Sequence, residues 1–584
     1  LFIILCILIY LPPIQNFLVD KAAVYASEAT GMNISVGRIS LSFPLNLVVT
    51  NVDAASPHND TLLSVRRLQV NVQLLPLLKK QVEVDGISLQ GATVNSNDLI
   101  HGMKLNGTLG ELFISSHGVA LDPETAIVNK VLLKDTDLSL CLNDTAAADT
   151  AASDTAYWKI ILQDIDLQNV SFALDMPLDS LSLAASLDNA ILRDGLIDLH
   201  KSAYSLQTFR IENGRVRYDN GKPLAADSLS SGLDPSHIAL TDIGVKLDSL
   251  YYGGRNMKAI ISQFVLKERS GVEIVSATGR MVSNDKVLRV PSLKLETRDS
   301  YLELNAAMDW NALDFKGEGL MSARLMADIG KPDVVRFMGS MDEKFIRQYP
   351  SEPLRIRTGI DGDLNKLKLT TLTAELPGAL GLFARGELTH LTDSLLRGGD
   401  ITLEAETKDL KFVSTLAEGI EIPYGTRLEG KFTMAGTKMG TDLLLMQPEA
   451  QAVVAADTIP ITVYNDSISV ADDFKMERAA RLFAKYDLSR DRYEADLAVN
   501  HFDLHQFMPA DSLYTLSTRL KVEGEGFDFF SPRTYFNAEG GIDRFHYGSY
   551  HLTGISLAAG LEKSKVHASL ACLLYTSPSP RDVE

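Results

Sequence analysis

The sequence predicts a mainly β protein, an antiparallel-rich sheet with an N-terminal membrane helix and few other short helices. Three observations predict it. From Ile34 onward apolar residues recur with a period of two over most of the chain. Turn residues punctuate the alternating runs. Long stretches with helical spacing are nearly absent, which excludes a repeated βαβ plan.

The chain opens on an apolar run. Leu1, Phe2, Ile3, Ile4, Leu5, Ile7, Leu8, Ile9 and Leu11 carry no charge and no turn residue intervenes. As a helix, residues 1–11 reach about 16 Å, against a hydrocarbon core of about 30 Å. The run reads as a membrane anchor that continues upstream of Leu1. A signal-peptide core is the alternative, but Pro12-Pro13 followed by a helix lacks the small-residue cleavage pattern. Residues 12–30 read as an amphipathic helix. Ile14, Phe17, Leu18, Ala22, Tyr25 and Ala29 share one stripe, and Gly31 stands where a helix C-cap belongs.

Residues 31–142 read as a first β-region. Leu68, Val70, Val72 and Leu74 fall on one face, with Gln69, Asn71 and Gln73 on the other. Residues 143–156, from Asn143 to Ala156, are small, polar and low in complexity, and read as a mobile loop. Residues 157–571 read as continuing sheet. There Ile401, Leu403 and Ala405 alternate with Thr402, Glu404 and Glu406. One apolar and one wet face suit an antiparallel sheet; strands buried on both faces would read as continuous apolar runs. Pro332 and Pro350 bound a helical insertion near 332–349.

Gly253-Gly254, Asn284-Asp285, Asp361-Gly362, Gly398-Gly399 and Gly540-Gly541 read as turns. Leu133–Leu138 resembles Leu162–Leu167, but no strict period appears, so the chain is neither a propeller nor a leucine-rich solenoid by sequence. Residues 572–584, Cys572 to Glu584, break the alternation and look like a translated sequencing adapter.

A formal charge of −19 and the lack of any Lys/Arg-rich run argue against nucleic acid as a partner. The 3 cysteines, Cys6, Cys141 and Cys572, make no metal-ligand spacing and no disulfide framework. Such a chain is compatible with an oxidising periplasm. No His-Glu-x-x-His, P-loop or Gly-x-Ser-x-Gly motif occurs. Asp361, Asp363 and Asn365 mimic the start of an EF-hand loop, but its sixth-position glycine and closing glutamate are missing. His501 and His505 are spaced like helical zinc ligands, yet their stretch alternates like a strand running into a turn. The expectation is no catalytic residue, no metal, no cofactor and no enzyme activity.

What remains is a distributed feature, hundreds of residues of sheet with one apolar face. By pattern alone the face is either the inside of a closed sandwich or the lining of an open groove. A resemblance bears on this choice. Thr30-Gly31, Ile34–Leu41 (Ile-Ser-Val-Gly-Arg-Ile-Ser-Leu) and Phe43–Leu47 (Phe-Pro-Leu-Asn-Leu) come in a fixed order. Leu62–Val65, Leu68–Val72, Leu74–Leu78 and Ile87–Asn95 follow them. This order of pieces resembles the opening of the AsmA-like superfamily, and most closely its TamB (translocation and assembly module) branch. Gly524–Asp528, Ile542–Tyr550 and His551–Leu557 resemble the same branch.

The resemblance implies an elongated, curled antiparallel-rich β-sheet, a β-taco or groove, anchored in the inner membrane with its bulk in the periplasm of a Gram-negative bacterium. It implies that the chain is an N-terminal fragment. It also implies a role in outer-membrane biogenesis, with phospholipid conducted between membranes along the groove. Leu68, Val70, Val72, Leu74, Ile401, Leu403 and Ala405 are the expected groove residues. An outer-membrane barrel protein of the BamA/TamA type is the expected partner, engaged through a C-terminal region absent from this sequence. The alternative is an assembly factor for outer-membrane β-barrel proteins and autotransporters, in which sheet edges receive client strands. An adhesin stalk predicts strict repeats and a cleaved signal, and neither is present.

Overall fold

The computed structural model describes Ser27, Met32 and residues 33–573, apart from 43–45, 57–60, 74–83, 97–101, 121–123, 144–157, 222–231, 314–318, 339–341, 417–418, 449–477, 529 and 564. The expected anchor, and all of the expected amphipathic helix except Ser27, lie outside the described residues. So do Leu74 and 144–156 of the expected loop. Among the described residues no helix is long and apolar enough to cross a membrane.

Among the described residues the chain is mainly β, 72% strand, with 28 strands. It divides into two compact units, Leu1–Glu303 with Pro332–Ser340, and Leu304–Lys331 with Met341–Glu584. In the first unit the early strands are β1 (Asn33–Ser42), β2 (Asn46–Ala55), β3 (Thr61–Val72), β4 (Val84–Asn95) and β5 (Met103–Ala120). Then come β6 (Thr125–Leu142), β7 (Lys159–Met176), β8 (Leu181–Asp198), β9 (Ala203–Leu206) and β10 (Thr208–Asp219). β11 (His237–Gly253), β12 (Asn256–Glu268), β13 (Glu273–Ser283) and β14 (Val287–Thr297) complete it, and β15 (Tyr301–Asp309) passes into the second unit.

The second unit continues with β16 (Met321–Ile329), β17 (Leu354–Gly362), β18 (Lys366–Leu376), β19 (Leu380–Thr389) and β20 (Gly398–Thr407). β21 (Arg427–Ala435), β22 (Lys438–Met446), β23 (Ala479–Asp487) and β24 (Arg492–Asp503) follow. β25 (Leu513–Glu525), β26 (Tyr535–Tyr547), β27 (Tyr550–Glu562) and β28 (Lys565–Leu573) close the described chain. β28 thus carries strand pairing into the first two residues of the adapter-like stretch.

Within each unit, strands pair mostly with their sequence neighbours. Period-two strands joined by tight turns give this meander. Two features of the first unit depart from it. β9 and β10 are one strand interrupted at Gln207, and both lie between β8 and β11. Among the described pairings β6 with β7 is parallel, and the rest are antiparallel. The parallel pair places Leu133 opposite Leu167. Leu133–Leu138 thus lies alongside Leu167–Phe172.

The segment near 332–349 holds two short helices, α1 (Lys331–Met338) and α2 (Glu343–Gln348). In the first unit Asp333 of α1 is 1% exposed and accepts hydrogen bonds from Thr297 Oγ1 and Ser300 Oγ, at the turn after β14. Arg336 pairs with it at 3.0 Å and with Asp299 at 3.2 Å. The buried carboxylate is thus fully partnered, as burial of a charge requires. In the second unit Asp342 caps α2 by accepting from the Lys344 amide at 2.7 Å. Phe345, 1% exposed, packs with its ring centroid 5.6 Å from both Tyr349 and Phe412. Burial there pushes the Tyr349 phenol above its ordinary range.

The turn residues divide in an instructive way. Gly254 and Asn284 sit in hairpin turns, where the Asn284 side chain accepts from the Lys286 and Val287 amides. Asp363 does the same for Asn365 and Lys366, so the EF-hand-like stretch is a turn closed by its own side chain. Gly398-Gly399, by contrast, opens β20, and Gly540-Gly541 lies inside β26. A Cβ on Gly540 would stand 2.4 Å from the Arg519 carbonyl oxygen, so these glycines mark close backbone approach rather than turns.

Candidate functional site

The ladders sort the alternating residues into rows that cross the strands at right angles. Directly opposed residues lie on the same face of a sheet, so each row can be followed from partner to partner. In the first unit the row through Leu68 runs from Ile39 and Val49 to Leu89, Leu112, Leu133, Leu167, Ala190, Ile211 and Val245. The row through Val70 runs from Leu41 and Leu47 to Ile87, Ile114, Val131, Ile165, Leu192, Phe209 and Leu247. Between them, on the opposite face, Gln69 pairs with Val48 and Ser88, while Asp166 lies farther along the same row. Val72 lies beyond a slip in the β3–β4 register, opposite Val84.

The second unit repeats the plan. Leu403 faces Ala384 on one side and Gly430 on the other, and its row continues through Leu443, Leu482, Leu497, Leu520, Gly540 and Leu557 to Leu570. Toward the other end it passes Leu372 and Thr358 to Leu325. From β16 to β28 it contains no charged residue. Ile401 and Ala405 lie in the flanking rows of the same face, beside Phe432 and Leu428. Of the expected groove residues, Leu68, Val70, Ile401, Leu403 and Ala405 lie in these apolar rows.

The other face carries the charge. Cross-strand pairs there include Arg357–Asp328 at 2.7 Å, Lys366–Glu387 at 3.0 Å and Arg481–Asp442 at 2.6 Å. Arg481 also donates through Nε to Asp442 Oδ1 at 2.8 Å. The guanidinium holds the Asp442 carboxyl below the usual range. Exposed pairs of this kind contribute little stability. They do keep this face wet.

Exposure separates the two arrangements left open by the pattern. In a closed sandwich the inner rows would be buried. Leu68, Leu89, Leu112, Leu133 and Leu167 are all only half-buried, as are Leu403, Leu443, Leu482 and Leu497. Phe432 is 42% exposed. Large aliphatic and aromatic side chains in register, with no second layer over them among the described residues, form an apolar face. At about 4.8 Å per strand the row through Leu403 extends on the order of 60 Å.

No protein-family model and no curated protein matches the sequence.

The histidines singled out by spacing do not converge. His501 sits at a bulge in β24, with its Nε2 3.3 Å from Arg544, and His505 stacks on Tyr514 with centroids 4.8 Å apart. Among the described residues no group of three or more His, Cys, Asp or Glu side chains is arranged to hold a metal ion.

Proposed function

We propose that the chain is an inner-membrane-anchored periplasmic protein of outer-membrane biogenesis, and that its apolar face conducts phospholipid between the inner and outer membranes. The observation that supports this reading is the charge-free row through Leu403, whose leucines are half-buried or exposed. An acyl chain needs a continuous surface without unpaired polar groups, and each methylene buried on it contributes about 0.8 kcal/mol. The headgroup stays in water at the open side, so no charge has to be desolvated. In this reading no residue performs covalent chemistry. The outer-membrane end would engage a barrel protein of that membrane.

Lipid capture tests the reading. The chain is purified from a Gram-negative host in mild detergent, and bound lipid is extracted and quantified by mass spectrometry. Several phospholipids per chain are expected, and the Leu403→Asp, Leu482→Asp double variant should lose most of them with its circular dichroism unchanged. A folded wild-type chain free of phospholipid overturns the reading and directs attention to outer-membrane barrel clients instead.

A further inference from the structure

Of the left-handed residues in the interior of first-unit strands, Asp194 (φ 51°) and Asp242 (52°) stand apart, and five share one pattern: Asn51 (51°), Gly91 (63°), Asp135 (49°), Asn169 (51°) and Asn213 (52°). Each is passed over in the pairing of its strand with its neighbours. The flanking registers place them in a single row. Asn51 lies opposite Gly37 and Arg66, and Gly91 opposite Arg66 and Gly110. Asp135 lies between Gly110 and Asn169, and Asp188 between Asn169 and Asn213. The row therefore crosses β1 to β8 and β10 without a break.

Strand direction orders it. β2, β4, β6, β7 and β10 run one way, and each contributes one of the left-handed residues. Their antiparallel neighbours contribute Gly37, Arg66, Gly110 and Asp188. β6 and β7, the parallel pair, run the same way and both carry the motif. The left-handed side chains lean on their neighbours. A Cβ on Gly110 would stand 2.8 Å from the Cβ of Asp135, and one on Gly37 would stand 3.0 Å from that of Asn51.

A left-handed residue departs from extended backbone and bends its strand; from β1 to β8 each is skipped together with the residue opposite it, so the register runs on without a slip. Bends at the same register position in successive strands add up. The row also resets the period. Val49 and Val52 are three apart yet both belong to apolar rows, and so do Leu89 and Ala92, and Leu167 and Val170. Burial concentrates beside it. Val49, Val65, Ala92, Thr136 and Ala190 flank the row and are 9%, 5%, 8%, 2% and 4% exposed, while the larger Leu68, Leu89 and Leu133 beside it are half-buried.

We propose that this row is a crease that folds the first unit's sheet lengthwise toward its apolar face, and that the small side chains flanking it are the floor on which acyl chains lie. The floor assignment rests on the lipid reading above, whereas the crease does not.

Nitroxides at Lys130→Cys and Ser139→Cys, on the polar side of β6 and either side of Asp135, test the crease in a full chain whose native cysteines are replaced by serine. An unbent strand separates these positions by about 30 Å. A wild-type electron–electron distance clearly below that is expected, and a distance at the straight-strand length overturns the crease. In the Asp135→Val, Asn169→Val variant the distance should lengthen, because β-branched residues resist the left-handed region. In Asp135→Gly, Asn169→Gly it should stay at the wild-type value. A folded valine variant with an unchanged distance, or a lengthened glycine variant, overturns the proposal. If the valine variant does not fold, the wild-type and glycine distances decide. Ala92→Trp with Ala190→Trp then tests the floor. Bound phospholipid should fall at least severalfold at constant label distance. A short distance in a chain that never carries lipid keeps the crease and removes both the floor and the lipid reading.

Discussion

Asn169 Nδ2 donates to Asp135 Oδ1 at 2.9 Å, across the parallel pair β6–β7. Both residues are left-handed, and both occupy the same place in the same motif, Leu-Lys-Asp-Thr in β6 and Leu-Gln-Asn-Val in β7. Asn and Asp are the non-glycine residues that tolerate this conformation best, because their short polar side chains find local partners. Here the partner is the equivalent residue of the next strand.

Replacing Asn169 by Asp keeps that backbone and sets two carboxylates side by side. The variant should lose about 1 kcal/mol at pH 7, the scale of an exposed charge pair. The loss should shrink as pH falls through the carboxylate range and the repulsion is neutralised. Urea midpoints at pH 7 and pH 3 for both proteins check it, and a gap that does not narrow at the lower pH counts against the contact.

Adjacent residues of β20 face opposite ways, which makes a sharp functional contrast. Leu403→Asp should lower phospholipid co-purification severalfold, whereas Thr402→Asp should leave it within experimental scatter. Thr402 lies on the charged face, opposite Arg385 and Lys431. Equal effects from the two substitutions would mean that the apolar face is not what lipid contacts.

Asp333→Ala removes the acceptor shared by Thr297, Ser300 and Arg336. Leaving such buried groups unpartnered costs about 3 kcal/mol. Hydrogen exchange should quicken first in α1 and in the turn after β14. Unchanged protection there would show that the helix is held by other contacts.

Phe345→Ala opens a cavity between Tyr349 and Phe412 and should destabilise the second unit by about 3–5 kcal/mol. A fall in the thermal midpoint is the readout. The first-unit label distance should not respond.

Asp487 gives a pH dependence with a definite sign. Its carboxylate accepts from the Ser489 hydroxyl at 2.7 Å, the Ser489 amide at 3.0 Å and the Thr437 hydroxyl at 2.9 Å, which together hold it down to about 2 from 3.8. The folded state favours the ionised form, so the stabilisation is full above about pH 4. It is lost as pH falls toward about 2. Asp487→Asn should be less stable than wild type at pH 7 and should converge with it near pH 2. A difference independent of pH would assign the effect to packing.

Much of the β architecture is legible from residues alone. Alternation at Leu68–Val72 and Ile401–Ala405 identifies strands with one apolar face, because side chains on a pleated strand point alternately to its two sides. The glycines are less legible. Gly540-Gly541 has the composition of a turn and the position of a strand interior, since only the neighbouring Arg519–Leu520 backbone dictates a residue without a side chain there. The crease was legible in principle, as an aliphatic residue, a polar residue, Asn, Asp or Gly, and then a small or β-branched residue. A strict search for period two reads it as noise, because the motif shifts the phase by one.

The sequence by itself determined the local state of the chain: strands by alternation, a turn at Asn284-Asp285, and an acidic composition. Only the tertiary structure decided which rows those strands form, that β6 and β7 run parallel, and that the left-handed residues fall in one line. Register is a relation between distant segments, and hydrogen bonding tolerates many registers that keep the same face inward. Which of them is realised depends on every neighbouring strand at once.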